Sequence, residues 1–268
     1  MQAELAPLLA AVAEAEPPPV GDVEARRFNA HRLFVKVVAL RAPIDGIDGI
    51  DGIDVERHSL TTGDGATLGL SWYRRSTSDQ PGSAVLFIHG GGMIMGLAHL
   101  GHIYDLAVRE YVEASGVPML VVDYRIAPGH PHPTPVEDCY AALVWLAEQA
   151  DMLGVDPARL AVMGDSAGGG LSAGVSLLAR DRGGPAIAQQ VLIFPKLDDR
   201  TTTPDRQLLP FLTWSYDDNI TGWGALLGDS AGGDAVSPYA APARAKDLAG
   251  LPDTYTDVGD RIRRLRSL

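Results

Sequence analysis

The 268 residues carry 34 acidic and 22 basic side chains, for a formal charge of −12, and 46% of them are apolar. That is enough for a buried core in one domain. The acidic balance excludes a general nucleic-acid binder, which needs a cationic surface, and a single cysteine, Cys139, excludes an intrachain disulfide or a cysteine metal cluster.

Residues 1–40 read as helical. Leu5, Leu8, Leu9 and Val12 recur on one face, and Phe28, Leu33, Phe34 and Val37 form a second apolar group beyond Pro17, Pro18 and Pro19. The start is acidic and lacks the basic stretch and cleavage site of a secretory signal. No apolar run reaches the roughly eighteen residues of a membrane span. The expected place is the cytoplasm. Residues 44–54 repeat IDG, a turn-forming composition that reads as a surface loop. A calcium site is not supported, because the EF-hand pattern and its closing Glu are absent.

From there the rhythm is strand, loop, helix. Leu68–Tyr73 alternates like an antiparallel strand. Ala84–His89, Met119–Tyr124, Leu160–Met163, Gln190–Phe194 and Thr254–Val258 are the further predicted strands, the first three of them continuous apolar runs of the kind covered on both faces. Helices are expected near Tyr104–Ala114, Val136–Gln149 and Gly168–Ala179. This alternation predicts an α/β fold with a mostly parallel sheet between helices. Cys139 follows Glu137 and Asp138, whose charges raise a thiol pKa, so it reads as packing rather than as a nucleophile. Residues 205–228 break the rhythm with Phe211, Trp214, Tyr216 and Trp223. With residues 1–40 they are taken as cap segments of a single domain.

Two motifs carry chemistry. Gly164-Asp165-Ser166-Ala167-Gly168 lies between an apolar strand and a small-residue helix. A serine on such a strained turn is exposed as a nucleophile, and the flanking glycines keep side chains out of crowded backbone. The helix start behind it favours developing negative charge. The blander reading is a glycine-rich helix start that packs closely. His89-Gly90-Gly91-Gly92 follows the strand Ala84–Ile88. Its amides could meet an oxyanion, with Gly91 and Gly92 donating beside the amide of Ala167. An ordinary tight turn competes with this reading. A phosphate loop competes less well, since no Gly-Lys-Ser/Thr follows. His89 sits at a strand end and reads as fixing the loop rather than as a base.

These motifs resemble the hormone-sensitive-lipase-like esterases of the α/β-hydrolase superfamily. The family's H-G-G-G with a later glycine is matched by His89–Gly92 and Gly96, and its G-D-S-A-G-G by Gly164–Gly169. Its D-Y-R-L-A-P stretch is matched from Asp123 through Pro135, Glu137 and Asp138, with Gly129 in place of a Glu. Ser237-Pro238 and Leu251-Pro252 fit later landmarks, so the likeness runs over about residues 25–259. It implies an α/β-hydrolase fold with a helical cap and hydrolysis of short- to medium-chain carboxylic esters through an acyl-enzyme, with no metal or organic cofactor. Ser166 would attack, a histidine would move its proton, and an aspartate would orient that histidine.

The family's acid stretch is not matched after Val258. Ile262 stands where the acid is expected, Asp260 is the nearest carboxylate and the candidate acid, and Asp257 is the next. The family histidine lies beyond a further strand. Here His31, His58, His89, His99, His102, His130 and His132 all precede Ser166. His99 and His102 read as solvated loop positions. The expectation is therefore an esterase without its last strand and helix and impaired in turnover. Thr254–Val258 would then be an open edge that favours pairing, in a homo-oligomer for instance. A second reading, of another class, is a non-catalytic small-molecule binder on a hydrolase scaffold, as in plant gibberellin receptors. Trp214, Tyr216 and Trp223 could line an acyl pocket or simply pack. Asp198-Asp199 resembles a metal pair but has no histidine near it.

Overall fold

The computed structural model describes residues 17–40, 52–75, 82–209 and 212–258. The apolar positions Leu5 to Val12, the IDG repeat up to Asp51, Phe211 and Asp260 lie outside them.

Helix α1 (Val23–Leu40) is opened by Asp22, whose carboxylate accepts from Ala25 N at 2.9 Å. Phe28, expected in an apolar group, is 61% exposed, so this helix does not bury it. Strand β1 (Ile53–Thr61) pairs antiparallel with β2 (Thr67–Arg75). It extends the predicted strand region backwards, and Ile53 and Asp54, read as loop, are its first residues. Then follow β3 (Gly82–Ile88), α2 (Leu97–Ser115), β4 (Met119–Val122), α3 (Thr134–Glu148), the short α4 (Ala150–Leu153) and β5 (Val155–Asp165). After these come α5 (Ala167–Arg182), β6 (Gln189–Ile193), α6 (Tyr216–Leu227) and β7 (Asp253–Asp257). Helix α2 begins seven residues earlier than the sequence predicts, so His99 and His102 are helical rather than in a loop.

The sheet order is β1-β2-β4-β3-β5-β6-β7, antiparallel at β1, β2 and β4 and parallel from β4 onward. Alternate side chains of β3, β4 and β5 face opposite layers. Leu86, Ile88, Leu120, Val122, Leu160 and Val162 pack with Cys139, Leu143, Leu171 and Val175 of α3 and α5. Phe87, Val121 and Met163 pack with Val108 and Val112 of α2. Cys139 is fully buried there, and burial pushes its thiol pKa up. No described helix is long and apolar enough to cross a membrane.

The strand order turns at β3. The chain leaves it for β4 on one side and returns to β5 on the other. Such a switch point leaves a crevice at the carboxyl ends of the strands. Register sets Ile88 beside Gly164, and Asp165 beside Ile193, which itself pairs with Asp257. The carboxyl ends of all four strands therefore lie along one edge.

Candidate active site

Ser166 sits on that edge, between the end of β5 and the first turn of α5, with φ 51° and ψ −116°. A non-glycine residue there is strained, so the surroundings must hold it. Ser166 N donates to Ile193 O at 2.9 Å, and Ser166 O accepts from Lys196 N at 2.7 Å and Gly170 N at 3.1 Å. The glycines around it have no room for a side chain. A Cβ on Gly168 would collide with the carbonyl of Ile88, and one on Gly164 would collide with the backbone of Gly168. Two missing Cβ atoms thus let the Ser166 turn seat against the end of β3.

The next segment, His89–Gly92, lies against that turn. A Cβ on Gly90 would stand 2.8 Å from Asp165 Oδ2 and 3.1 Å from Asp165 O. The Tyr104 hydroxyl of α2 ties the two together, accepting from Gly90 N at 2.7 Å and donating to Asp165 Oδ2 at 2.9 Å. Burial raises the Asp165 pKa to about 6 and pushes Tyr104 well above its ordinary range. Gly91 and Gly92 have φ 102° and 63°. Gly91 O accepts from Ile94 N and Met95 N, closing a tight turn, and the Trp214 ring covers Gly92 where a Cβ would be. Ala167, fully buried, opens α5.

His89 is fully buried and stacked on Tyr124, with ring centroids 4.2 Å apart and 13° between planes. Its Nδ1–H donates to Gly90 O at 2.8 Å, and burial lowers its pKa to about 4. It is a neutral ring that braces the glycine loop. Helix α1 reaches the same loop, Arg27 donating to Ile94 O at 2.7 Å and to Ala127 O at 3.1 Å.

The other candidates disperse. Tyr216 opens α6 and its hydroxyl accepts from Asp205 N at 3.0 Å. Asp257 Oδ1 accepts from Phe194 N at 3.0 Å, so this carboxylate holds the loop after β6. His99 lies along α2 and its carbonyl faces His31, while His102 is exposed. Asp198 and Asp199 are not a metal pair. Asp198 pairs with Arg200, and the buried Asp199 takes Arg244 at 2.6 and 2.9 Å. Among the described residues no group of three or more His, Cys, Asp or Glu side chains could hold a metal ion.

Tyr104, the Asp165 carboxylate and Lys196 adjoin the Ser166 turn, and sequence reading did not single them out. Tyr104 lies 61 positions from Asp165, and no local pattern links them.

A strand switch point, a strained serine before a helix and a glycine loop packed on its turn define an α/β hydrolase. Residues 85–262 match the family model described as the alpha/beta hydrolase fold, and the chain belongs to that family. Within the superfamily its homologues are esterases of the family related to hormone-sensitive lipase. It is 40% identical over 180 residues to Esterase LipI of Mycobacterium tuberculosis, covering 65% of this chain and 53% of that one. It is 37% identical over 184 residues to Carboxylesterase NlhH of the same organism, covering 66% and 55%. The chain thus spans about half the length of these curated relatives. Among solved structures it is similar to a bacterial heroin esterase, with TM-score 0.77, 36% identity, and 95% and 79% of the two chains covered.

Proposed function

We propose that this chain is a serine carboxylesterase acting on short- to medium-chain carboxylic esters through an acyl-enzyme on Ser166. The observation that carries the reading is the strained Ser166 turn seated against the Gly90–Gly92 loop. In the proposed reaction Ser166 Oγ bonds to the ester carbonyl carbon, the carbonyl π electrons move to oxygen, and the hydroxyl proton leaves to a base. The amides of Gly91, Gly92 and Ala167 would meet the oxyanion, each such donor contributing roughly 3 kcal/mol to lowering the barrier. Collapse expels the alcohol, and water then releases the acid.

The hydroxyl proton needs a base. The histidine and acid that the family resemblance implies have no match on residue motifs here. His89 is committed to Gly90 O. Ser166 without a base is a neutral hydroxyl and a poor nucleophile at pH 7. We therefore expect these 268 residues by themselves to turn over nitrophenyl esters weakly, by roughly four orders of magnitude below a complete triad.

The test is labelling with a fluorophosphonate or a sulfonyl fluoride, followed by peptide mass spectrometry. Ser166 should be the serine modified. A folded sample in which another serine reacts and Ser166 does not would refute the assignment and favour the reading as a binding protein.

A further inference from the structure

Lys196 enters the fold where a loop lysine is least expected. Its backbone N–H donates to Ser166 O at 2.7 Å. Its side chain runs inward beneath the cap helix α6. Although the residue as a whole is half-buried, its Nζ is sealed from solvent and has no hydrogen-bond acceptor among the described residues. The nitrogen stands 4.5 Å from the ring centroid of Trp223 and 5.6 Å from that of Trp214. Both indole nitrogens are buried and lack acceptors too. Three buried donors without acceptors, one of them cationic when protonated, thus lie on side chains packed against one another. Cation–π contact offsets part of the ammonium's desolvation but supplies no acceptor to any of the three N–H groups.

The cluster adjoins the proposed oxyanion loop. A Cβ on Gly222 would lie 2.7 Å from Lys196 Nζ and 2.9 Å from Gly92 O, so only glycine lets α6 come this close. The Trp214 ring lies against Gly92 and is the partly exposed member, so the cluster is one side chain below the surface. Asp218 of α6 is the acid that acts on Lys196. That carboxylate is committed to Arg26 of α1 at 2.8 Å and to the Ser215 N–H and hydroxyl at the start of α6. Asp165, on the Ser166 turn, is held by Tyr104.

We propose that Lys196, Trp214 and Trp223 form a subsite for a carboxylate carried by the substrate, which makes half-esters of dicarboxylic acids the preferred substrate class. A carboxylate neutralises the ammonium and offers enough lone pairs for all three donors, which a neutral acyl chain cannot do. Entry requires the Trp214 ring to turn aside. This inference rests on the ester-hydrolase reading of Ser166.

The experiment is calorimetric binding of monomethyl succinate and of methyl butyrate to the protein. Burial lowers the Lys196 pKa to about 7. At about pH 6 the amine is charged, and the half-ester should bind at least roughly tenfold tighter than the neutral ester. Above pH 7 carboxylate binding must also bring a proton, so the preference should fall by roughly tenfold at about pH 8.5. Lys196→Met should bring the two affinities within about twofold of each other. Trp214→Phe, which keeps the ring and removes the N–H, should reduce the preference and covers the case in which the first variant does not fold. Equal affinities in the unmodified protein, or a preference unchanged in both variants, would overturn the subsite. Fluorophosphonate labelling of Ser166 in the same sample separates the two levels. Labelling without the preference sinks the subsite alone, and no labelling sinks the esterase reading and the subsite with it.

Discussion

At Ser166 the conformation is made by atoms that are absent from its neighbours. Gly168 allows α5 to start against the carbonyl of Ile88, and Gly224, on the exposed face of α6, meets nothing within 4 Å. The same substitution should therefore act in opposite directions. Gly168→Ala should cost about 2–3 kcal/mol through overpacking, while Gly224→Ala should add about 0.5–1 kcal/mol by restricting the unfolded chain and improving the helix. Urea unfolding of the two variants checks this, and equal midpoints would contradict it. Asp165 makes a second case. Its folded pKa is raised from 3.8 to about 6, chiefly by burial. The folded protein then keeps a proton that the unfolded chain has already lost. The stability this proton confers is complete below 3.8 and is lost as pH rises through about 6. Two units correspond to something on the order of 3 kcal/mol. Asp165→Asn, which still accepts from Tyr104, should remove that slope. Unfolding free energies for both proteins at about pH 4 and pH 7 decide it, and parallel profiles would remove Asp165 as the cause.

Elements were legible in proportion to how continuous their apolar runs are. β3 and β4 are buried on both faces and read directly from AVLFI and MLVV. β1 did not, because IDVERHSLT alternates charge with apolar residues on a half-exposed edge and follows a turn-rich repeat. The early turns of α2 were hidden by Gly101 and two histidines, and by Gly96 in an extended conformation just before them. The Ser166 turn and the glycine loop could be read because each is specified by a short local pattern. Lys196 could not, since its burial comes from Trp214 and Trp223 on a distant segment. The Asp-Tyr-Arg stretch turned out to be a clamp between elements. Arg125, just after β4, meets the 1%-exposed Asp138 of α3 through its backbone N–H at 2.9 Å and its guanidinium at 2.7 and 2.9 Å. Arg125 also bonds the exposed Asp64 at 2.8 and 3.2 Å, so Asp138→Ala removes its buried partner but not its only one and should cost about 1–3 kcal/mol. Arg125→Met combined with Asp138→Leu should cost less than the single change, because no guanidinium is left short of an acceptor and the leucine fills the space of the carboxylate. A double variant at least as unstable as Asp138→Ala would mean the pair contributes net stability.

Across the whole molecule, protection should follow distance from β3. β4 is buried at every position, and β3 and β5 are covered by α3 and α5 on one face and α2 on the other. β7 differs. Its first four residues are exposed, Tyr255 by 59%, and among the described residues it is paired only with β6. Its amides should open by local fluctuation, whereas those of β4 and β5 should exchange only through near-global unfolding. Hydrogen exchange read by mass spectrometry should thus label the peptide containing Asp253–Asp257 orders of magnitude faster than the peptide containing Leu160–Gly164. Dilution is the control. A row of free strand groups is a template for another strand, and a second copy seated there would slow β7 exchange only at high protein concentration. Slow exchange of β7 that persists on dilution, with a monomeric solution mass, would contradict the open edge and require a cover from within the chain itself.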